Sequence, residues 1–322
     1  MTPRLKTRFT KFFDVDHPVM LAPMDKVAGG ALAAAVTRAG GLGLIGGGYG
    51  DAGWVEQAFR DAGNERVGIG FITWSVQKNQ DLLEQALDHN PAALMVSFGD
   101  AEEIVKNAKA RDIPTIWQIQ TVAQAEQAVG AGVDVLVAQG QEAGGHGMDR
   151  GLMALLPAVR DAAGPDQIIL GAGGIADGRG LAAALMLGAD GVMMGTRFWA
   201  SAEADGTDAA KAGLVAATGD GTVRSKVFDI ARGLDWPWHY TGRSVRNAFA
   251  DKWVNDIHDM KARAGEAQEA YDASDPDDLS VRALIAGEAV DLISRVESAA
   301  DIVGRVVQDA VDLLEQAPHH LR

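Results

Sequence analysis

The run VAQGQEAGGHGMDRG, residues 137–151, sets an acid, paired glycines and His146 side by side directly after an apolar stretch, in a chain with only seven histidines. An imidazole titrates near neutral pH, so His146 can act as a general base or as a hydrogen-bond donor. Gly144 and Gly145 remove side chains from one wall beside it and leave room for a planar ligand. A lone histidine is more often a packed structural group, but glycine neighbours argue against a packed core position. Glu142 either orients this segment through backbone amides or is a surface acid. Two later stretches, LGAGGIADGRG and DGVMMGTRF, each end an apolar run in glycine and then begin a helix or turn. Bare main chain lets amide N–H groups approach an anion, and a helix N-terminus adds partial positive charge. Gly173, Gly174, Gly195 and Thr196 are therefore the expected phosphate contacts; the plainer alternative is that the glycines only permit tight turns. Near the start, Ala22, Pro23 and Met24 end another apolar run. Met24 offers a soft, polarisable surface to a flat ring, or fills a gap in the core.

The elements that must position these groups are short apolar runs bounded by glycine or proline, alternating with amphipathic segments. Strand candidates begin near Val19, Leu42, Val67, Ala92, Thr115, Val133, Ile168 and Gly191, at spacings of 23, 25, 25, 23, 18, 35 and 23 residues. Runs apolar on both faces, separated by helix-length gaps, indicate a parallel sheet. Eight such units close naturally into an α/β TIM barrel, (β/α)8. The single wide gap follows Val133 and holds the His146 segment, where a barrel carries its active-face loops. GAGGIA, residues 171–176, also fits a dinucleotide fingerprint with an acid, Asp190, about twenty residues on. In a dinucleotide-binding unit that acid would end the next strand, whereas Asp190 precedes it, so the fingerprint is rejected.

Residues 1–200 are thus expected to form the barrel. From 201 to 284 the rhythm stops, and a smaller, mostly helical lobe is expected to be inserted after strand eight and to cover the active site. Residues 285–322 supply closing helices. The aromatic stretch DWPWHY, with Trp236, Pro237, Trp238 and Tyr240, either roofs the pocket or forms a small core of that lobe. The formal net charge of −15 disfavours nucleic acid and anionic membranes as partners. The chain has no cysteine, which excludes disulfides, thiolate metal sites and cysteine nucleophiles. No histidine pair has metal-ligand spacing, so no metal is expected. The basic N-terminus lacks the apolar core of a signal peptide, and no apolar run spans a bilayer, which points to the cytoplasm.

With these residues in hand, the chain resembles the nitronate monooxygenase family, once called 2-nitropropane dioxygenases. APM after strand one, AQGQEAGGHG, GAGGIADG and GVMMGTRF match in order and spacing, and DIARGLDWPWHYTGRSVRNAF is similar to the family's second lobe. The resemblance covers nearly the whole chain. It implies a TIM barrel binding FMN without covalent attachment, the phosphate held after strands seven and eight. It makes His146 the catalytic histidine beside the flavin, with Ala22, Pro23, Met24, Gly144, Gly145, Gly173, Gly174, Gly195 and Thr196 contacting FMN. Gln118 and Gln139, at the ends of strands five and six, match family positions near the ring. Two positions depart: Met148 stands two places after the histidine where members often carry glycine, and Gly70 stands where some place an asparagine. Both are expected on the substrate face.

The reaction so implied is oxidation of an alkyl nitronate by O2 to a carbonyl compound and nitrite. His146 would donate a hydrogen bond to the anion, or abstract the α-proton of a neutral nitroalkane. NAD(P)H-dependent quinone reductases and flavin-type enoyl-thioester reductases share the fold, the flavin and the EAGGH segment. A flavin-free lyase or isomerase acting on a phosphorylated metabolite is a more distant alternative. The physiological substrate and the oligomeric state stay open, a homodimer being one option.

Overall fold

The computed structural model describes residues 4–321. Eight parallel strands make the barrel: β1 (Val19–Leu21), β2 (Leu44–Gly48), β3 (Gly68–Ile72), β4 (Leu94–Ser97), β5 (Thr115–Ile119) and β6 (Val135–Gln139), then, after a short outer strand β7 (Gly145–Gly147), β8 (Ile168–Ala172) and β9 (Gly191–Met194). Each begins within two residues of the start read from the sequence. The sheet runs β1-β9-β8-β6-β5-β4-β3-β2. Closure comes just before β2, where the Leu42 N–H donates to the Val19 carbonyl (3.0 Å) and the Leu21 N–H to the Leu42 carbonyl (2.9 Å).

Inward side chains such as Met20, Leu44, Met95, Ile116, Val137 and Leu170 fill the barrel interior. The N-terminal helix Arg8–Phe13 plugs its lower mouth with Phe9, which is fully buried in that cluster. Asp190, at the entry to β9, accepts from Arg8 Nε (2.7 Å), Arg160 (2.9 Å) and the Ile169 N–H (3.0 Å). It ties plug to barrel at the end away from the strand C-termini.

After β9 the chain makes a long excursion before supplying the helix that closes the outer ring. That helix, Ala299–Gln316, packs between the helices Gly178–Met186 and Gly30–Arg38, so it takes the eighth helix's place. Within the excursion, two strands, β10 (Thr222–Ser225) and β11 (Thr241–Val245), pair antiparallel. Short helices beside them share a separate apolar cluster of Val227, Phe228, Phe249, Trp253, Met260 and Tyr271. No helix among the described residues is long and apolar enough to cross a membrane.

Candidate active site

The chain turns sharply after β6. Glu142 places its carboxylate on the Leu152 N–H (3.0 and 3.1 Å), at the start of the helix Leu152–Ala163. Its role in this fold is structural. Arg224 of β10 donates to the carbonyls of Gln141 (2.9 Å), Ala143 (3.0 Å) and Thr241, and Arg243 of β11 donates to Gln141 (3.1 Å). Burial, with Arg243 nearby, pushes the Arg224 guanidinium down to about 10, so it stays charged at neutral pH.

The segment clamped in this way is not simply a loop. β7 pairs with β11, setting Gly147 against Thr241, His146 against Gly242 and Gly145 against Arg243. His146 therefore stands on a strand of a three-stranded antiparallel sheet, β10-β11-β7. This corrects the active-face loop expected for the His146 segment. Three residues bounded by glycine carry no strand signal, and their partner belongs to the excursion.

The His146 imidazole lies flat on the Trp236 indole, with ring centroids 3.4 Å apart and planes 5° from parallel. Its Nε2 is 2.7 Å from the Asp229 carboxylate. Lys226 reaches the other Asp229 oxygen (3.1 Å) and also the carbonyls of Trp236 (3.3 Å) and Pro237 (3.1 Å). The Trp236 Nε1–H donates to the Tyr49 hydroxyl (2.8 Å). Asp229 and Lys226 are both buried. Burial pushes His146 below its ordinary 6.5 while Asp229 pulls it back up, so the neutral ring prevails at pH 7. Tyr49 is pushed up to about 12 by burial and keeps its proton.

One cavity of about 240 Å³ opens at the C-terminal ends of the barrel strands. Ala22, Pro23 and Met24 line it beyond β1, Gln118 and Gln139 at the ends of β5 and β6, and Gly144, Gly145 and His146 beyond β6. Gly173 and Gly174 follow β8 there, and Gly195 and Thr196 follow β9. Every site residue expected from the sequence thus faces one space. Gln139 accepts from both Gln118 (3.1 Å) and Gln120 (2.9 Å), a buried amide cluster in the cavity floor.

The reasons for some of these residue types differ from those read in the sequence. Gly173 and Gly174 adopt φ of +98° and +70°, a region that favours glycine. Among the described residues, the N–H groups of Gly174 and Gly195 have no acceptor within the chain, while that of Gly173 ends the β8–β9 ladder at Met193. The helix after this pair starts at Gly178, and Asp177 caps it with its own carboxylate (2.9 Å to the Arg179 N–H). The positive end of that helix is already used, so any anion contact there falls to the loop amides. At Gly144 a side chain would come within 2.7 Å of the Ala286 and Gly287 backbone. This glycine lets two backbone segments touch, which corrects the idea that it clears space for a ring. At Gly70 a side chain would strike Pro23 at 2.4 Å. Gly70 lines the cavity but Met148 does not, which corrects its expected place on the substrate face.

Sequence reasoning missed several groups. Asp229 and Lys226 carried a faint signal, an acid and a base three apart within an apolar helical stretch. Tyr49, Phe98 and Arg232 also line the cavity, as do Ile285 and Gly287, the latter donating its N–H to the Thr196 hydroxyl (3.0 Å). Of the expected aromatic roof, Trp236 lines the cavity while Trp238 is 57% exposed and points away, beneath Lys226 and Lys261.

Comparison with known proteins decides the kinship. The family described as nitronate monooxygenase matches residues 6–66 and 61–309. The chain belongs to the nitronate monooxygenase family. This is a family of FMN-dependent oxidoreductases. The chain is 34% identical to nitronate monooxygenase npaC of Metarhizium robertsii, over 94% of this chain and 93% of that one. Among solved structures it is similar to FabK from Thermotoga maritima, with a TM-score of 0.86 and 27% identity over 98% of this chain and 99% of that one. It is also similar to nitroalkane oxidase from Streptomyces ansochromogenes, with a TM-score of 0.76 and 25% identity over 95% and 99%. The nitronate monooxygenase kinship agrees with a barrel whose histidine and glycine corners meet in one cavity.

Proposed function

We infer that this chain binds FMN and oxidises alkyl nitronates, and neutral nitroalkanes, with O2 to a carbonyl compound and nitrite. The observation that carries the reading is the convergence, in one cavity, of His146 with the unpaired glycine amides that follow β8 and β9.

The donor set suits a phosphoester. Main-chain N–H groups left without acceptors are costly unless an anion or water takes them, and those of Gly174 and Gly195 border this cavity. Gly173, Gly174, Gly195 and Thr196 would hold the phosphate. Ala22, Pro23 and Met24 would back the flat ring, and Gln118 and Gln139 would offer amide contacts to its polar edge. When bound, FMN supplies the electron acceptor and the means of engaging O2.

The chain's own residues handle binding and the proton. A nitronate is an anion, and His146 donates to its oxygens once the ring is the imidazolium, with a proton on each nitrogen. A neutral nitroalkane must first lose its α-proton. His146 is the group placed to take it, because burial holds the ring neutral at pH 7. Trp236, Phe98 and Tyr49 form an apolar wall that excludes water from the anion. Residues 201–284, which contribute Trp236 and Arg232, would act as a lobe covering the site.

The test is spectroscopic. The protein as purified should be yellow, and anaerobic mixing with a nitronate should bleach it rapidly. His146→Asn should keep the colour and lose about 10²–10⁴ in turnover of a neutral nitroalkane; unchanged turnover removes the histidine from the mechanism. A second reading, NAD(P)H-dependent flavin reductase, is favoured by the higher TM-score with FabK than with the nitroalkane oxidase. Rapid bleaching by NADH, with slow bleaching by nitronate, would select it.

A further inference from the structure

We propose that Asp229 is the positioning residue of this site: by accepting the Nε2–H of His146 it leaves the Nδ1 lone pair as the base that faces the cavity, and Lys226 fixes Asp229 in that task. The proposal rests on the reading of His146 as the base toward nitroalkanes, and it names the working atom and what selects it.

Nε2 lies 2.7 Å from Asp229 Oδ1, a charge-assisted distance. Among the described residues Nδ1 has no partner in the chain, yet it is not one of the sealed polar atoms, while His146 lines the cavity. A carboxylate can only accept, so the neutral ring paired with it carries its proton on Nε2. A ring flip would put carbon against Asp229 and forfeit the bond. The parallel stack on Trp236 restrains the ring further, and Trp236 is itself held by Tyr49 at 2.8 Å.

Lys226 makes the arrangement stable. Its ammonium has three donors, and the structure gives it three acceptors, Asp229 and the carbonyls of Trp236 and Pro237. One buried cation therefore ties the carboxylate beside His146 to the main chain of the indole above it. The charged groups acting on His146 are Asp229, Lys226 and Arg232; the first favours the imidazolium and the other two oppose it.

The proton balance is simple. The α C–H proton of a neutral nitroalkane passes to Nδ1, and the electron pair of that bond stays on the substrate as nitronate. The imidazolium keeps its second proton on Nε2, against the Asp229 carboxylate, which offsets the new positive charge. A substrate added as nitronate needs no such transfer.

The proposal is tested on the FMN-loaded protein with ¹⁵N-labelled histidine, the His146 signals being those lost in His146→Asn. At neutral pH the wild-type ring should show a protonated Nε2 and an unprotonated Nδ1. Asp229→Asn should lower the His146 titration midpoint. It should also cut kcat/KM for a neutral nitroalkane by about 10²–10⁴ while changing that for the preformed nitronate by less than about tenfold. Asp229→Glu should recover part of the loss. A wild-type ring protonated on Nδ1, an unmoved midpoint in Asp229→Asn, or equal losses on both substrates would each overturn the proposal. If Asp229→Asn fails to fold because Lys226 is orphaned, the double variant Lys226→Met/Asp229→Asn carries the comparison, and the wild-type spectrum decides the tautomer without any substitution. The tautomer is measured independently of turnover, so failure of the nitronate reading leaves this arm intact.

Discussion

Gly173→Ala isolates the proposed phosphate grip from the rest of the site. Gly173 sits at φ +98°, and a Cβ there would meet the Gly140 carbonyl oxygen at 2.9 Å and the Ala143 nitrogen at 3.1 Å, both backbone atoms. Holding alanine in that conformation costs about 1–3 kcal/mol, and pressing it on unyielding main chain adds about 1–3 kcal/mol. The corner relieves both by shifting, which turns the Gly174 amide away from the cavity. An amide bonded to a charged group is worth about 1.5–3 kcal/mol. Loss of one such bond should weaken FMN binding by about ten- to a hundredfold. Riboflavin carries the same ring without phosphate, so its affinity should change by less than about threefold, far below one such bond. The assay is flavin fluorescence quenching on the apo-protein, titrated with each ligand, beside a thermal melt of both proteins. The melt separates a local shift from general unfolding. Equal weakening of FMN and riboflavin, or unchanged FMN affinity, would refute the assignment of phosphate to this corner.

The acidic limb of kcat/KM for a neutral nitroalkane should lie below pH 6.5, because burial is the largest influence on His146 and favours the neutral base. Activity should rise as pH climbs through that limb, and a limb above 6.5 would contradict the neutral ring. The same depression acts on stability. The unfolded histidine takes up its proton near 6.5 before the folded one does, so His146 should destabilise the fold as pH falls below 6.5 and have no such effect above it. The difference between wild-type and His146→Asn denaturation midpoints across pH 5–8 measures this, and a gap independent of pH would count against it. Asp190→Asn should cost about 2–4 kcal/mol, since it strips a buried acceptor from Arg8 and Arg160, with a discount because Arg8 is half exposed. FMN affinity should not change, because Asp190 lies at the far end of the barrel; a parallel loss of flavin would show that the plug and the site are coupled.

The barrel was legible because a strand buried on both faces must be a continuous apolar run, and glycine or proline marks where it stops. That rule locates Val19, Thr115, Ile168 and Gly191 to the residue. The cavity lining was legible for a related reason: residues just past strand ends converge on one mouth whatever their helices do. The excursion obeys neither rule. β7 has three residues, two of them glycine, and only its pairing with Thr241–Arg243 makes it a strand. In DWPWHY nothing periodic distinguishes Trp236, which stacks on His146, from Trp238, which faces solvent. A glycine announces a missing side chain but not what passes through the gap. Gly144 admits the backbone at Gly287, and Gly70 admits Pro23. Each contact joins segments distant in sequence.

The same distance governs the chemistry. The barrel presents His146, but the carboxylate that orients the ring and the cation behind it come from the excursion, as does the indole on which the ring lies. An imidazole buried without Asp229 would have its pKa depressed with nothing to offset the proton it gains. The helix that closes the ring after β9 begins more than a hundred residues later, at Ala299–Gln316, and the chain between uses that interval to reach over the strand ends. The stretch that leaves β9 and returns as the closing helix thus carries the carboxylate, the ammonium and the indole that surround the barrel's histidine.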